Sequence, residues 1–164
     1  MNNKGFTLVE FLIYIGIVSV ILVSITFLTI ESVLLGAKSD DAVMLHSSAR
    51  FAIGRIEEEV RNATNVNEAA SVFDVNPGAL SLETASPSTN PTIIDVANGI
   101  LQIKRGTSNA VPLAPSAIRA ARLIFSSYSK PGTPGTIKII MELAPTNTQN
   151  QSSITLEESA SLRQ

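Results

Sequence analysis

Between Lys4 and Glu31 the only charged side chain is Glu10, four places after a Gly5-Phe6 junction, and residues 11–30 contain no Asp, Glu, Lys, Arg or Pro. A carboxylate at the edge of so apolar a segment has one obvious chemistry, which is to pair with a positive charge. An acidic residue at mid-membrane costs roughly 2.5–3.5 kcal/mol and less near an end. Opposite charges about 4 Å apart attract by about 4 kcal/mol at an effective dielectric near 20. An amine or guanidinium brought to Glu10 therefore offsets its burial. The competing reading is that Glu10 snorkels to the interface and needs no partner.

Other reactive side chains offer less. His46 is the only histidine, and no serine stands in a Gly-x-Ser-x-Gly setting, so a nucleophilic relay is not expected. Asp40-Asp41 lack the spacing of a calcium loop and read as solvated residues or a contact for a basic neighbour such as Lys38. Glu57, Glu58 and Glu59 are consecutive, so on a helix they point about 100° apart and do not form a carboxylate pair. With no cysteine there are neither disulfides nor thiolate metal sites. Gly-rich phosphate loops are missing. Asn62-Ala63-Thr64 and Asn150-Gln151-Ser152 fit a glycosylation acceptor pattern and carry no further information. The chain is expected to be no enzyme, with no metal and no cofactor.

The elements that must position Glu10 follow from length and periodicity. The 164 residues suffice for one membrane segment and one modest domain. Net charge is −2 with no long basic run, so DNA binding is not indicated. Twenty helical residues, 11–30, span roughly 30 Å, the hydrocarbon thickness of a bilayer. That stretch is too long for a secretory signal peptide, and no Ala-x-Ala site follows it. A signal anchor fits better, with the N-terminus and Lys4 cytoplasmic and Lys38 onward outside.

Past the span, no proline occurs before Pro77, so the helix is free to continue. Leu45, Ala49, Ala52, Ile53, Ile56, Val60 and Ala63 recur at spacings of three and four, one apolar stripe. Arg50, Arg55, Glu57, Glu58, Arg61 and Asn62 occupy the polar side, with Glu57 and Arg61 a favourable i,i+4 pair. Asn62, Asn65 and Asn67 cluster where the pattern ends, as at a helix C-terminus. Residues 71–75, 79–84, 92–96, 100–104, 121–128, 136–143 and 153–156 read as strands. Asn98-Gly99 signals a tight hairpin turn, and the Pro-Gly-rich stretch 131–135 an exposed hairpin loop. The fold class is α+β: a long N-terminal helix, transmembrane then amphipathic, packed on a mainly antiparallel β-sheet head.

Neither a signal peptide nor a plain anchor explains Gly5-Phe6-Thr7-Leu8-Val9-Glu10. These residues resemble the type IV pilin family, including the pseudopilins of type II secretion. The family signature is a short basic leader ending in Gly, a following Phe or Met, a Glu four residues on, and a long apolar helix. The chain matches each part, with Lys4 in the leader. The resemblance implies cleavage by a membrane aspartyl prepilin peptidase after Gly5, N-methylation of Phe6, and assembly through Phe6 and Glu10. The new Phe6 amine of one subunit pairs with Glu10 of a neighbour. It further implies other pilin or pseudopilin subunits, an inner-membrane assembly platform and the lipid bilayer as partners. The expected location is the bacterial inner membrane, single-pass with a cytoplasmic N-terminus, and then an extracytoplasmic filament.

The implied organisation is a leader at 1–5, an assembly helix at 6–30, its amphipathic continuation at 31–66 and a β-rich head at 67–164. Residues 6–30 depart from many major pilins in having Gly16 but no proline. Residues 55–63, with the segments 112–125 and 137–140, look like minor pilins and J-type pseudopilins. Both points argue for a minor subunit. The rival readings are a single-pass anchored binding domain that never assembles and a tethered extracellular enzyme.

Overall fold

The structure, a computed structural model, describes residues 7–128, 135–147 and 152–163, with side chains described except at 33–40. The chain forms two compact units, Met1–Asp40 and Asp41–Gln164. Helix α1, Leu8–Asn62, contributes to both.

In the first unit, Leu8–Ser32 is long and apolar enough to cross a membrane, and none of it is buried by other protein. The sequence permits an unbroken helix because proline is absent and the hydroxyls look after themselves. Ser19 Oγ donates to the Ile15 carbonyl at 2.7 Å, and Ser24, Thr26 and Thr29 bond to the carbonyls four residues back at 2.8 Å. No hydroxyl among them demands water in hydrocarbon.

The second unit packs residues 41–62 of α1 against two antiparallel sheets. One is a meander of β1 (Asn65–Val66), β2 (Leu80–Glu83), β3 (Thr92–Ala97), β4 (Ile100–Arg105) and β5 (Val111–Pro112). The other holds β6 (Ile118–Tyr128), β7 (Thr136–Pro145) and β8 (Ile154–Ser161). All seven residues of the expected apolar stripe are buried in the core. They meet Leu80, Leu82, Ile94 and Leu101 of the first sheet and Leu123, Phe125, Ile139 and Met141 of the second. The alternation along β7, with Ile137, Ile139, Met141 and Leu143 inward, explains why one strand can serve a one-sided core.

Asn98 and Gly99 both have positive φ, 52° and 77°, and join β3 to β4 with Ala97 opposite Ile100, as a two-residue primed turn requires. After a register shift between Ala120 and Arg122, the β6–β7 pairing is continuous from Arg122 opposite Glu142 to Tyr128 opposite Thr136. Residues 131–134 of the expected hairpin loop lie outside the described residues.

The stretch 71–75 does not form the expected strand. Val72 makes an isolated bridge to Ala79, and Asp74 turns the chain with φ 58°. Its polar groups are used elsewhere, because the outer edge of β6 would otherwise be left unpaired. The Asp74 and Gly78 amides donate to the Phe125 and Leu123 carbonyls, both at 2.8 Å. Asn76 Oδ1 accepts from the Leu123 amide at 2.9 Å, and Ser126 Oγ donates to Asp74 Oδ1 at 2.5 Å. This loop therefore ties the two sheets together.

Among the described residues of the head Glu59 is the buried charge, 8% exposed, although it belongs to a run of three glutamates. Its Oε1 accepts from Arg105 Nη2 of β4 at 2.5 Å and from Arg55 Nη2 at 2.9 Å. Two guanidiniums offset its desolvation and link α1 to the first sheet. The expected Glu57–Arg61 pair forms at 3.3 Å on the exposed side.

On the face of the second sheet away from the helix, Lys138 Nζ lies 2.6 Å from Glu157 Oε1, a diagonal cross-strand pair. This hydrogen bond and the Glu157 charge hold the lysine above its ordinary value of 10.5. A raised lysine contributes stability that is complete below that value and disappears as pH climbs through the folded-state value. The full-length protein in detergent should accordingly lose thermal stability above pH 10.5 more steeply than Glu157→Gln. Parallel curves for the two proteins would contradict this.

Candidate functional site: the start of the apolar helix

Thr7 sits immediately before the first helical residue, Leu8. Its Oγ1 accepts from the Glu10 amide at 3.3 Å, and its carbonyl accepts from the Phe11 amide at 3.2 Å, the first i to i−4 bond of the helix. Thr7 is thus the N-cap, and Thr7-Leu8-Val9-Glu10 has the Ser/Thr-x-x-Glu spacing of a capping box. The sequence reading gave Thr7 no role, although that spacing was there to find it.

The cap fixes where α1 begins, and so places Glu10 in the first turn. A carboxylate there faces the positive end of the helix dipole, worth about 0.3–1 kcal/mol when exposed. Glu10 is exposed and surrounded by apolar residues that are also exposed, among them Leu8 at 77% and Phe11 at 60%. The site therefore presents one anion on an otherwise neutral, uncovered apolar helix. It can bind a cation or be neutralised by one.

Residues 1–26 match the family model described as the prokaryotic N-terminal methylation motif. The first 26 residues carry the motif of a prepilin-type N-terminus. The motif indicates a prepilin-type substrate of prepilin peptidase, and the expected cleavage and methylation positions, Gly5 and Phe6, lie in the matched stretch and outside the described residues. Comparison with curated proteins gave no match, and comparison with solved structures gave none either.

The bond between the Thr7 cap and the Glu10 amide makes a separable prediction. Thr7→Val removes the Oγ1 acceptor and keeps the shape, so the first turn should weaken by about 1 kcal/mol. Hydrogen exchange at the Glu10 amide of the full-length chain in detergent should speed by roughly fivefold, and Thr7→Ser should restore protection. Unchanged exchange in Thr7→Val would show that the cap does not hold this turn.

Proposed function

We infer that this prepilin is a structural subunit of a type IV pilus-like or type II secretion pseudopilus filament, of the minor-subunit class. It waits in the inner membrane with its N-terminus in the cytoplasm. The peptidase removes residues 1–5 and methylates Phe6, and the assembly platform then draws the chain into a helical filament. There the apolar helices cover one another in place of lipid, and Glu10 meets the Phe6 amine of a neighbour. Its work is mechanical and not catalytic. The β-rich head is left to determine which partners the subunit meets.

The observation that carries this reading is the single carboxylate in the first turn of an apolar helix that no part of the chain covers, inside the matched motif. An anchor alone has no use for it. The lack of proline in residues 11–30 supports the minor-subunit class.

The test is fractionation of cells with and without the peptidase. The chain should co-sediment with sheared surface filaments or with an overproduced pseudopilus when the peptidase is present, and stay in the membrane when it is absent. Recovery in the membrane fraction alone under both conditions would favour an anchored binding domain instead.

A further inference from the structure

A sheet edge presents unpaired amides and carbonyls, and among the described residues three of the four edges in the head are protected. Strands β1 and β5 have two residues each. The Leu113 amide donates to the Leu101 carbonyl, so Pro112 is an outward position of β5 and has no amide to offer. The 74–78 loop covers β6. Strand β8 differs: it is the outer strand of its sheet, eight residues long and free of proline.

The register shows which groups of β8 are free. The Leu162 amide donates to the Gly135 carbonyl at 3.0 Å, and Thr136 Oγ1 lies 2.9 Å from Ser161 Oγ. Residues 154, 156, 158 and 160 therefore turn their backbone groups toward β7, and Thr155, Glu157, Ser159 and Ser161 turn theirs outward. The next outward amide, that of Arg163, donates to the Arg61 carbonyl of α1 at 3.3 Å and closes one end of the edge. Among the described residues no backbone group meets the other four. A groove of about 600 Å³ runs between this edge and α1, with Gly54, Glu58 and Arg61 on one side and Ser159, Ser161 and Arg163 on the other. Glu57 also lines it and is held to Arg61 at 3.3 Å, while Glu58 pairs with Arg55. A Cβ on Gly54 would meet nothing within 4 Å, so the helix wall leaves room for another backbone.

Charge decides what fits there. Strand β8 carries Glu157 and Glu158 and neither lysine nor arginine. Lys138 takes Glu157 on the outer face. Glu158 shares the inner face with Leu156 and the buried Ala160, yet it is exposed, and among the described residues no cation pairs with it. An identical strand would bring two more carboxylates to the same edge and be repelled. A strand with a cation at the facing position would be drawn in. We propose that the free edge of β8 and its groove bind an extended basic segment of a different protein, which joins the sheet as a fourth strand with a Lys or Arg beside Glu158. This goes beyond the filament reading and does not rest on it.

The probe is a fluorescent synthetic peptide, Thr-Lys-Val-Lys-Val-Lys-Val-Thr, added to the full-length protein in detergent. It should bind saturably and slow hydrogen exchange at the Thr155, Glu157, Ser159 and Ser161 amides. The same peptide N-methylated along its backbone keeps its charge and loses its amides, and should bind at least about tenfold more weakly. Ser159→Pro removes an outward amide where an edge strand tolerates proline, and should weaken binding similarly with the fold retained by circular dichroism. Glu158→Lys should weaken the lysine peptide by about tenfold and admit its glutamate counterpart. Equal binding of the plain and N-methylated peptides would overturn the proposal, as would slowed exchange confined to other strands or no saturable binding of the lysine peptide. So would dimers of the chain that Ser159→Pro dissolves, because a second copy would then occupy the edge.

Discussion

Glu10→Ala is expected to leave the chain inserted in the membrane and to remove it from filaments. Insertion depends on the apolar length of Leu8–Ser32, which the substitution extends and does not interrupt. In the proposed filament, assembly depends on the charge. A pair about 4 Å apart is worth about 4 kcal/mol at an effective dielectric near 20, and each 1.4 kcal/mol is about tenfold in an equilibrium. Even half of that energy corresponds to roughly thirtyfold at each subunit contact, so filament incorporation should fall below detection. Glu10→Gln separates the charge from the helix start. The amide keeps a polar side chain in the first turn and leaves the bond from the Glu10 amide to Thr7 Oγ1 in place. It should fail nearly as badly as alanine. The measurement is the ratio of filament to membrane chain by immunoblot for the three proteins. Incorporation of Glu10→Ala at the level of the unmodified chain would remove Glu10 from the assembly account.

The largest effect in the head is expected at Phe125. It has 0% exposure, stands opposite Ile139 in the β6–β7 register, and is among the bulkiest fully buried side chains. The cavity left by Phe125→Ala has little means of closing. Strand β6 is held by β7 on one edge and by the 74–78 loop on the other, with the Phe125 carbonyl itself accepting from Asp74. A Cβ added at Gly78 would already lie 3.3 Å from Phe125 Cδ2, so this region is filled. Phe→Ala in such a site costs about 3–5 kcal/mol, against about 5–15 kcal/mol for a whole domain. The full-length protein in detergent should show a urea midpoint lowered by at least about a fifth, and Phe125→Leu should recover most of it. A loss below about 1 kcal/mol would mean that the site collapses freely.

Much of this architecture was legible because its signals are local. The Leu45-to-Ala63 stripe, the Asn98-Gly99 turn and the alternation of β7 are each written within a dozen residues, and each appears in the structure. The features that escaped are long-range or very short. Residues 71–75 look like a strand by composition, but the unpaired edge of β6 claims their backbone across some fifty positions. Strands β1 and β5 have two residues each and no period to read. Glu59 looked like one of three surface glutamates until Arg105, 46 residues away, was placed beside it. For the candidate site, Glu10 was conspicuous through the absence of other charges around it. Thr7 was overlooked because a cap is a backbone property that hydrophobic patterning does not register.

Everything in the filament account turns on a new amine being made at Phe6. Intact-mass and N-terminal peptide spectrometry of the native chain, purified from membranes of cells with an active peptidase, examines this most directly. The account predicts a polypeptide that starts at Phe6 and is heavier by one methyl group on its terminal nitrogen. A chain that still begins with Met1-Asn2-Asn3-Lys4-Gly5 would contradict it.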